Sequence, residues 1–169
     1  LLRLSQDGVD THEAITEDSE PDRALEIRGS EGMMINYSRC CFPIPGDPIL
    51  GILTTGNGLA VHRAQCPMMQ KLQAHPGRCI HLRWSENMNA DFLIGVGVEC
   101  QDKPGVLAAV SLALAESGTN VQNITSRMPE RGGQVRIIFH FTVKNRHHLA
   151  EVFRVLRKVR YVDRTYRVI

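Results

Sequence analysis

Three thiols and an imidazole, Cys40, Cys41, His62 and Cys66, fall in one short stretch of this sequence. The set suits a tetrahedral Zn²⁺, although the C-x2-C knuckle of ordinary zinc fingers is absent. Adjacent residues of an extended chain point to opposite faces, so Cys40 and Cys41 can reach one ion together only from a turn. Pro67 suits the first position of a helix, which places Cys66 at that helix's N-terminus, where exposed N–H groups favour a thiolate. The alternative is that the thiols are small buried hydrophobes and His62 a hydrogen-bonded strand end. A cysteine nucleophile would need a base and an orienting third group, and no third group is evident beside His62 and Cys66. A hydrolytic metal site would need an open coordination position and a general base, and no carboxylate is placed for it.

A second place with chemistry is the turn Cys100-Gln101-Asp102-Lys103-Pro104-Gly105 leading into Val106. A helix starting at Pro104 would aim its free N–H groups at a carboxylate, and Gly105 would let a ligand approach the backbone closely. Val106, Leu107 and Ile124 would give such a site an apolar side. The plainer reading is a helix entry capped by Asp102. The third place is the basic end, where Arg154, Arg157, Lys158, Arg160, Arg164 and Arg167 have only Asp163 among them. Such a cluster is either a solvated face or a phosphate-binding surface. No aromatic strand motif for base stacking accompanies it, so RNA would be held by charge and shape.

Short elements must carry the first cluster. Pro43, Pro45, Gly46 and Pro48 make a stiff entry, Ile49 to Leu53 reads as a strand, and Thr55-Gly-Asn-Gly58 turns it into the strand Leu59 to His62. A helix with Met68, Met69 and Leu72 on its apolar side stops at Pro76-Gly77, and Cys79 to Trp84 is another strand. So small a unit, with few large hydrophobes, would profit from a metal or a docked neighbour. From Asp91 the periods are longer. Phe92, Ile94, Val96 and Val98 alternate, Val106, Leu107, Val110 and Leu114 fall at helical spacing, and Gly118 ends that helix. Val121 to Arg127 and Val135 to Val143 are strands, Leu149 to Val159 a helix and Val162 to Val168 a last strand. The order β-α-β-β-α-β is the ferredoxin-like plan, so the fold class is α+β. A small cysteine-rich hairpin and helix unit (33–86) precedes a ferredoxin-like unit (90–169), behind an acidic linker (1–32).

The 169 residues are 43% apolar and 22% charged with a net charge of +2, which excludes collagen-like and mucin-like classes. No apolar run approaches the ~20 residues that span a bilayer, so no membrane partner is expected and the protein reads as cytoplasmic. Five cysteines at irregular spacing are not a secreted disulfide framework. Nine of the 18 acids lie in residues 1–31 and eight of the 20 Lys and Arg in residues 144–169, giving an acidic start and a basic end. With no initiator Met, the sequence reads as a fragment of a longer chain.

The string Cys40-Cys-Phe-Pro-Ile-Pro-Gly-Asp-Pro-Ile49, continued by Gly51, Thr54, Gly56, Gly58, Val61-His-Arg63 and Cys66, resembles the conserved-cysteine or zinc-finger domain of the long RelA/SpoT stringent-response proteins. Asp102-Lys-Pro-Gly-Val-Leu107 and Gly118-Thr-Asn-Val121 resemble the ACT domain that follows it in them. The tail from Lys144 to Ala150, with Arg157-Lys-Val159, looks more like the bifunctional SpoT branch than the synthetase-only RelA branch, and Gln65 stands where RelA-type members carry an Asp. The resemblance implies structural zinc on Cys40, Cys41, His62 and Cys66. It also implies an ACT ligand site at Asp102, Gly105, Asn120, Val121 and Ile124, which the apolar neighbours would suit to a branched-chain amino acid. A homodimer through the ACT domain and ribosomal RNA on the basic end (Arg154, Arg157, Lys158, Arg160, Arg164) are further implied partners. The fragment itself would be non-catalytic. It would act on N-terminal catalytic domains of the same protein, a (p)ppGpp hydrolase and synthetase using Mn²⁺ or Mg²⁺ outside this chain. The alternative is a free-standing ACT-type amino-acid-binding regulator.

Overall fold

The computed structural model describes residues 24–28, 34–54, 56, 58–72, 79–127 and 133–168. Most of the segment expected as an acidic linker, Thr55 and Asn57 of the expected turn, the expected Pro76-Gly77 stop and residues 128–132 lie outside them. Within the described residues the chain forms two sheets, of five and four strands.

In the first unit, β3 (Ile49–Thr54) and β4 (Gly58–Arg63) pair as the expected hairpin, from Ile49 opposite Arg63 to Thr54 opposite Gly58. After the short helix α1 (Pro67–Leu72), β5 (Cys79–Trp84) returns antiparallel to β3. Two three-residue strands complete the sheet: β1 (Leu25–Ile27) runs parallel to β5, and β2 (Ile35–Tyr37) parallel to β4. The segment expected as a linker through residue 32 thus supplies β1, and Ile27 is buried against Ile49, Leu59, Val61 and Leu82. Three residues are too few to show an alternating pattern, and a strand that pairs parallel to one more than fifty positions away leaves no turn signal beside it. Cys41, Ile52, Cys66 and Met69 form a separate small cluster.

The second unit follows the expected order. β6 (Phe92–Gln101), α2 (Val106–Glu116), β7 (Val121–Arg127), β8 (Gln134–Val143), α3 (Arg146–Leu156) and β9 (Val162–Arg167) form an antiparallel sheet ordered β7-β8-β6-β9. Alternate residues of β6 and β8, from Phe92 to Cys100 and from Ile137 to Val143, face the helices. There they meet Val110 and Leu114 of α2 and Leu149, Val152 and Leu156 of α3. Helix α3 is capped by Asn145, whose side-chain oxygen accepts from the His148 N–H at 3.0 Å.

The two units meet at the Pro-rich entry to β3. Ile44 is fully buried and belongs to the core of the second unit rather than the first. Asp47 closes the turn on itself, its Oδ2 accepting from the Ile44 N–H at 3.0 Å while its own N–H donates to the Ile44 carbonyl at 3.0 Å. Gly46 has φ +96°, and a Cβ there would stand 2.9 Å from Cβ of Arg146 at the start of α3, so only glycine lets the turn seat there. Across the joint the Arg146 N–H donates to the Pro45 carbonyl at 2.9 Å, while within the first unit Trp84 Nε1 steadies the same turn by donating to the Asp47 carbonyl at 2.9 Å. The Trp84 ring meets Phe92 edge-on, centroids 5.4 Å apart.

Candidate metal centre and interdomain joint

The pairing of β2 beside β4 assembles the cysteine cluster. Tyr37 lies opposite Val61, and the Ser38 N–H donates to the Val61 carbonyl at 3.0 Å. The chain then turns at once, Phe42 N–H reaching back to the Ser38 carbonyl at 2.9 Å. The turn lets both adjacent cysteines face one point. His62 comes from the end of β4 and Cys66 from the start of α1. The ligand atoms of Cys40, Cys41, His62 and Cys66 all lie within 4.8 Å of one another.

The edges of this cluster can be compared with a metal tetrahedron. Bonds of ~2.3 Å to sulfur and ~2.0 Å to nitrogen put neighbouring donors ~3.5 to 3.8 Å apart. Cys40 Sγ lies 3.6 Å from Cys66 Sγ and 3.4 Å from His62 Nδ1, and Cys41 Sγ lies 3.8 Å from the same nitrogen. Three sulfurs and one nitrogen in a closed, largely buried set fit a structural Zn²⁺. Ser38, which sequence reasoning missed, holds the imidazole from behind, its Oγ 2.9 Å from Nε2. With Nδ1 turned to the sulfurs, Nε2–H donates to that hydroxyl and fixes the tautomer, the usual support for a ligating histidine. Burial pushes the Cys41 thiol up to about 12 and raises Cys40, which the Cys66 thiol raises further. Cys66 differs. Burial works against its thiolate too, but the N–H of Met68, the thiols of Cys40 and Cys41 and the N–H of Met69 outweigh it, so its value is lowered. Burial also lowers His62, keeping the imidazole neutral and able to donate a lone pair.

The joint lies directly after these cysteines along the chain. Arg167, on β9, grips Asp47 with both arms, Nη1 to Oδ1 at 2.9 Å and Nη2 to Oδ2 at 2.6 Å, and Nη2 also donates to the Phe42 carbonyl. Arg63 Nε stands 3.8 Å from Asp47 Oδ2, and Cys41 Sγ accepts from the Arg63 N–H at 3.3 Å. Burial, then the charge of Arg167, hold the Arg63 guanidinium below its ordinary value, with Asp47 opposing and Arg146 adding a smaller push. The sequence offered one signal for this joint: an acid inside an otherwise apolar Pro-Ile-Pro-Gly-Asp turn.

The residues expected to bind a ligand on the ACT unit divide. Val106 is buried in the core, whereas Asp102, Gly105, Leu107, Asn120 and Ile124 are exposed and Val121 half-buried. Helix α2 starts at Val106 rather than at Pro104. Its cap is Gly105 at φ +85° with no side-chain cap bond, so Asp102 does not cap it. Gly105 is required by its left-handed backbone, since a Cβ there would meet nothing within 4 Å. At the basic end Arg154, Arg157, Lys158, Arg160 and Arg164 are exposed. Arg157, Arg160 and Arg164 rest over the rings of Phe153, Tyr161 and Tyr166 at 5.9, 4.6 and 5.5 Å. Arg167 is withdrawn from that face into the joint. Among the described residues no helix is long and apolar enough to cross a membrane.

Comparison with known proteins bears on both units. Residues 25–85 match the RelA/SpoT RIS domain and residues 88–167 the ACT domain. The chain is 31% identical over 134 residues to the bifunctional (p)ppGpp synthase/hydrolase SpoT of Escherichia coli K12, covering 79% of this chain and 19% of that one. It is 32% identical over 151 residues to the bifunctional (p)ppGpp synthase/hydrolase RelA of Mycobacterium tuberculosis, covering 89% of this chain and 20% of the relative. The chain therefore spans about a fifth of the length of these relatives. The solved ACT domain from the GTP pyrophosphokinase of Chlorobium tepidum aligns with 46% of this chain and 99% of its own at 27% identity, with a TM-score of 0.41. The chain joins a RelA/SpoT RIS domain to an ACT domain, and with its SpoT and RelA relatives it belongs to the RelA/SpoT family as part of its regulatory region.

Proposed function

We propose that this region regulates (p)ppGpp synthesis and hydrolysis by catalytic domains of the same protein, and that it does so as a single body rather than as two independent sensors. The observation that carries this reading is the joint. Ile44 of the RIS unit sits in the ACT core, and the buried Asp47 of the RIS unit is held bidentately by Arg167 of the ACT unit. An event on either unit is then felt by both, and its differential affinity for two arrangements of the whole shifts their populations. Zinc on Cys40, Cys41, His62 and Cys66 is structural in this reading, because the thiols form a closed set and the turn they hold runs straight into the docking loop. When bound, it would supply folding energy to a small unit.

The exposed Leu107, Leu112 and Ile124 offer the ACT unit an apolar surface for an amino acid side chain or a second copy. The ribosomal RNA contact implied by the resemblance would fall to the exposed arginines of α3 and β9. The test is the full-length enzyme carrying Asp47→Ala. Its ratio of synthesis to hydrolysis should shift severalfold, with the isolated catalytic domains unaffected. An unchanged ratio in a protein whose joint has been shown to open would refute the single-body reading.

A further inference from the structure

Beside the Asp47–Arg167 pair, between the two units, lies a cavity of about 270 Å³. Three guanidiniums line it, Arg63 from the RIS unit and Arg146 and Arg167 from the ACT unit, and Asp47 is its only acid. The carboxylate is taken up by Arg167 and the Ile44 N–H, with Arg63 at 3.8 Å. Two positive charges are therefore left over in the cleft. Arg146 is exposed, and its guanidinium makes a long 3.5 Å contact from Nη1 to the Gly46 carbonyl. The Nε of Arg167 is buried without a hydrogen-bond partner, and a desolvated donor left unpaired costs free energy. Leu149 and Phe153 of α3 form an apolar wall beside the charges.

The geometry points to a binding site for a small molecule bearing a terminal phosphate or diphosphate. Guanidinium forks match phosphoryl oxygens bidentately, and a terminal phosphoryl carries roughly −1.5 to −2 charges at neutral pH, enough to offset the two in excess. The cavity falls just below the ~300 to 1,000 Å³ of ordinary small-molecule sites, so the ligand is compact. The site is also recessed, the side chains of Arg63 and Arg167 being only 17% and 13% exposed. A terminal group can enter such a cleft. An internal phosphodiester, with a sugar on either side and a single charge, meets its rim. Because the arginines come from both units, the ligand would bridge the joint and stiffen it. This inference stands apart from the identity of the enzyme that the region regulates.

Calorimetry of the metal-loaded chain with pyrophosphate as the probe, at near-physiological salt, tests it. One pyrophosphate should bind per chain. Arg146→Gln should weaken binding about tenfold or more while leaving thermal melting unchanged, because its side chain contributes little to the joint. Arg63→Lys keeps a charge beside Asp47 but loses the fork, and it should also weaken binding. Arg164→Gln, on the opposite face of β9 from Arg167, should bind as well as the parent chain. No binding at millimolar pyrophosphate, undiminished binding by both Arg146→Gln and Arg63→Lys, or equal loss in Arg164→Gln would each overturn the site. So would displacement of pyrophosphate by an RNA oligonucleotide without terminal phosphates, which would make the cleft part of a polynucleotide surface.

Discussion

The ACT unit and the RIS unit reach a folded state by different means. In the ACT unit one continuous cluster runs through the sheet and both helices, and Phe139 and Phe141 at its centre are fully buried. The RIS unit has two small clusters instead, and the one under α1 consists of Cys41, Ile52, Cys66 and Met69. Two of its four residues are cysteines of the candidate metal set. The ACT unit is held by apolar burial, whereas the RIS unit leans on the ACT unit on one side and carries, on the other, a thiol and imidazole set that could hold an ion. It even gives up Ile44 to its neighbour's core. A domain with little interior of its own is held in shape by its contacts, which makes it suited to report on them.

The sharpest way to break this contrast is to remove the metal. Chelation should withdraw stabilisation of order 10 kcal/mol from the RIS unit. Hydrogen exchange should then show β3, β4 and β5 losing protection while β6 and β8 keep theirs, and equal loss in both sheets would erase the distinction. Asp47→Ala comes next, because it leaves Arg167 facing a buried site without its carboxylate, at a cost of ~3 to 5 kcal/mol. A single melting transition should split into two, with the emission of Trp84, the one tryptophan, shifting in the first. A single unshifted transition would show that the units do not lean on each other. Ile44→Val should cost ~0.5 to 1.5 kcal/mol, read in the ACT transition although the residue belongs by sequence to the RIS unit. If only the RIS transition moves, Ile44 has been assigned to the wrong core.

The smallest effect separates the cysteines of the two units. Burial, then the charges of Asp163 and Asp102, raise the Cys100 thiol above its ordinary 9.0. In the unfolded chain that thiol ionises as pH rises past this ordinary value, while the folded one still holds its proton. Its contribution is complete below the unfolded value and is lost as pH climbs towards the folded one, at no more than ~1.4 kcal/mol per unit. Denaturant titrations at rising pH should show this slope in the ACT unit and its disappearance in Cys100→Ala. A slope that survives the substitution belongs to another group.

The ACT unit was legible because its two central strands, β6 and β8, are ten residues long and carry apolar residues at every second position, so Phe92 through Val98 announce both their structure and their inner face. The clustering of the candidate metal residues was legible for a different reason. Two adjacent cysteines demand a turn if both are to serve, and the turn is there. β1 and β2 were not legible, since three residues carry no period. The start of α2 was misplaced because a proline at the first helical position is a common pattern, and here the left-handed Gly105 takes over the entry. Asp47 could be seen in its turn but its partner could not. Arg167 sat in a run of arginines with nothing to mark it, and an ion pair between residues 120 positions apart leaves no trace in local spacing.

That separation has a kinetic meaning. Closing a loop of such length is entropically costly, and Arg167 is in place only once β9 has joined the edge of the second sheet beside β6. The joint is therefore a late event in folding. The ACT sheet must form first, and the RIS unit completes its own structure as it docks, the slower step usual for multidomain chains. Until then Ile44 and the Pro-rich turn stand in water, a transient sticky loop. A chain delayed at this stage is the species most exposed to aggregation and to swapping its docking loop with another copy.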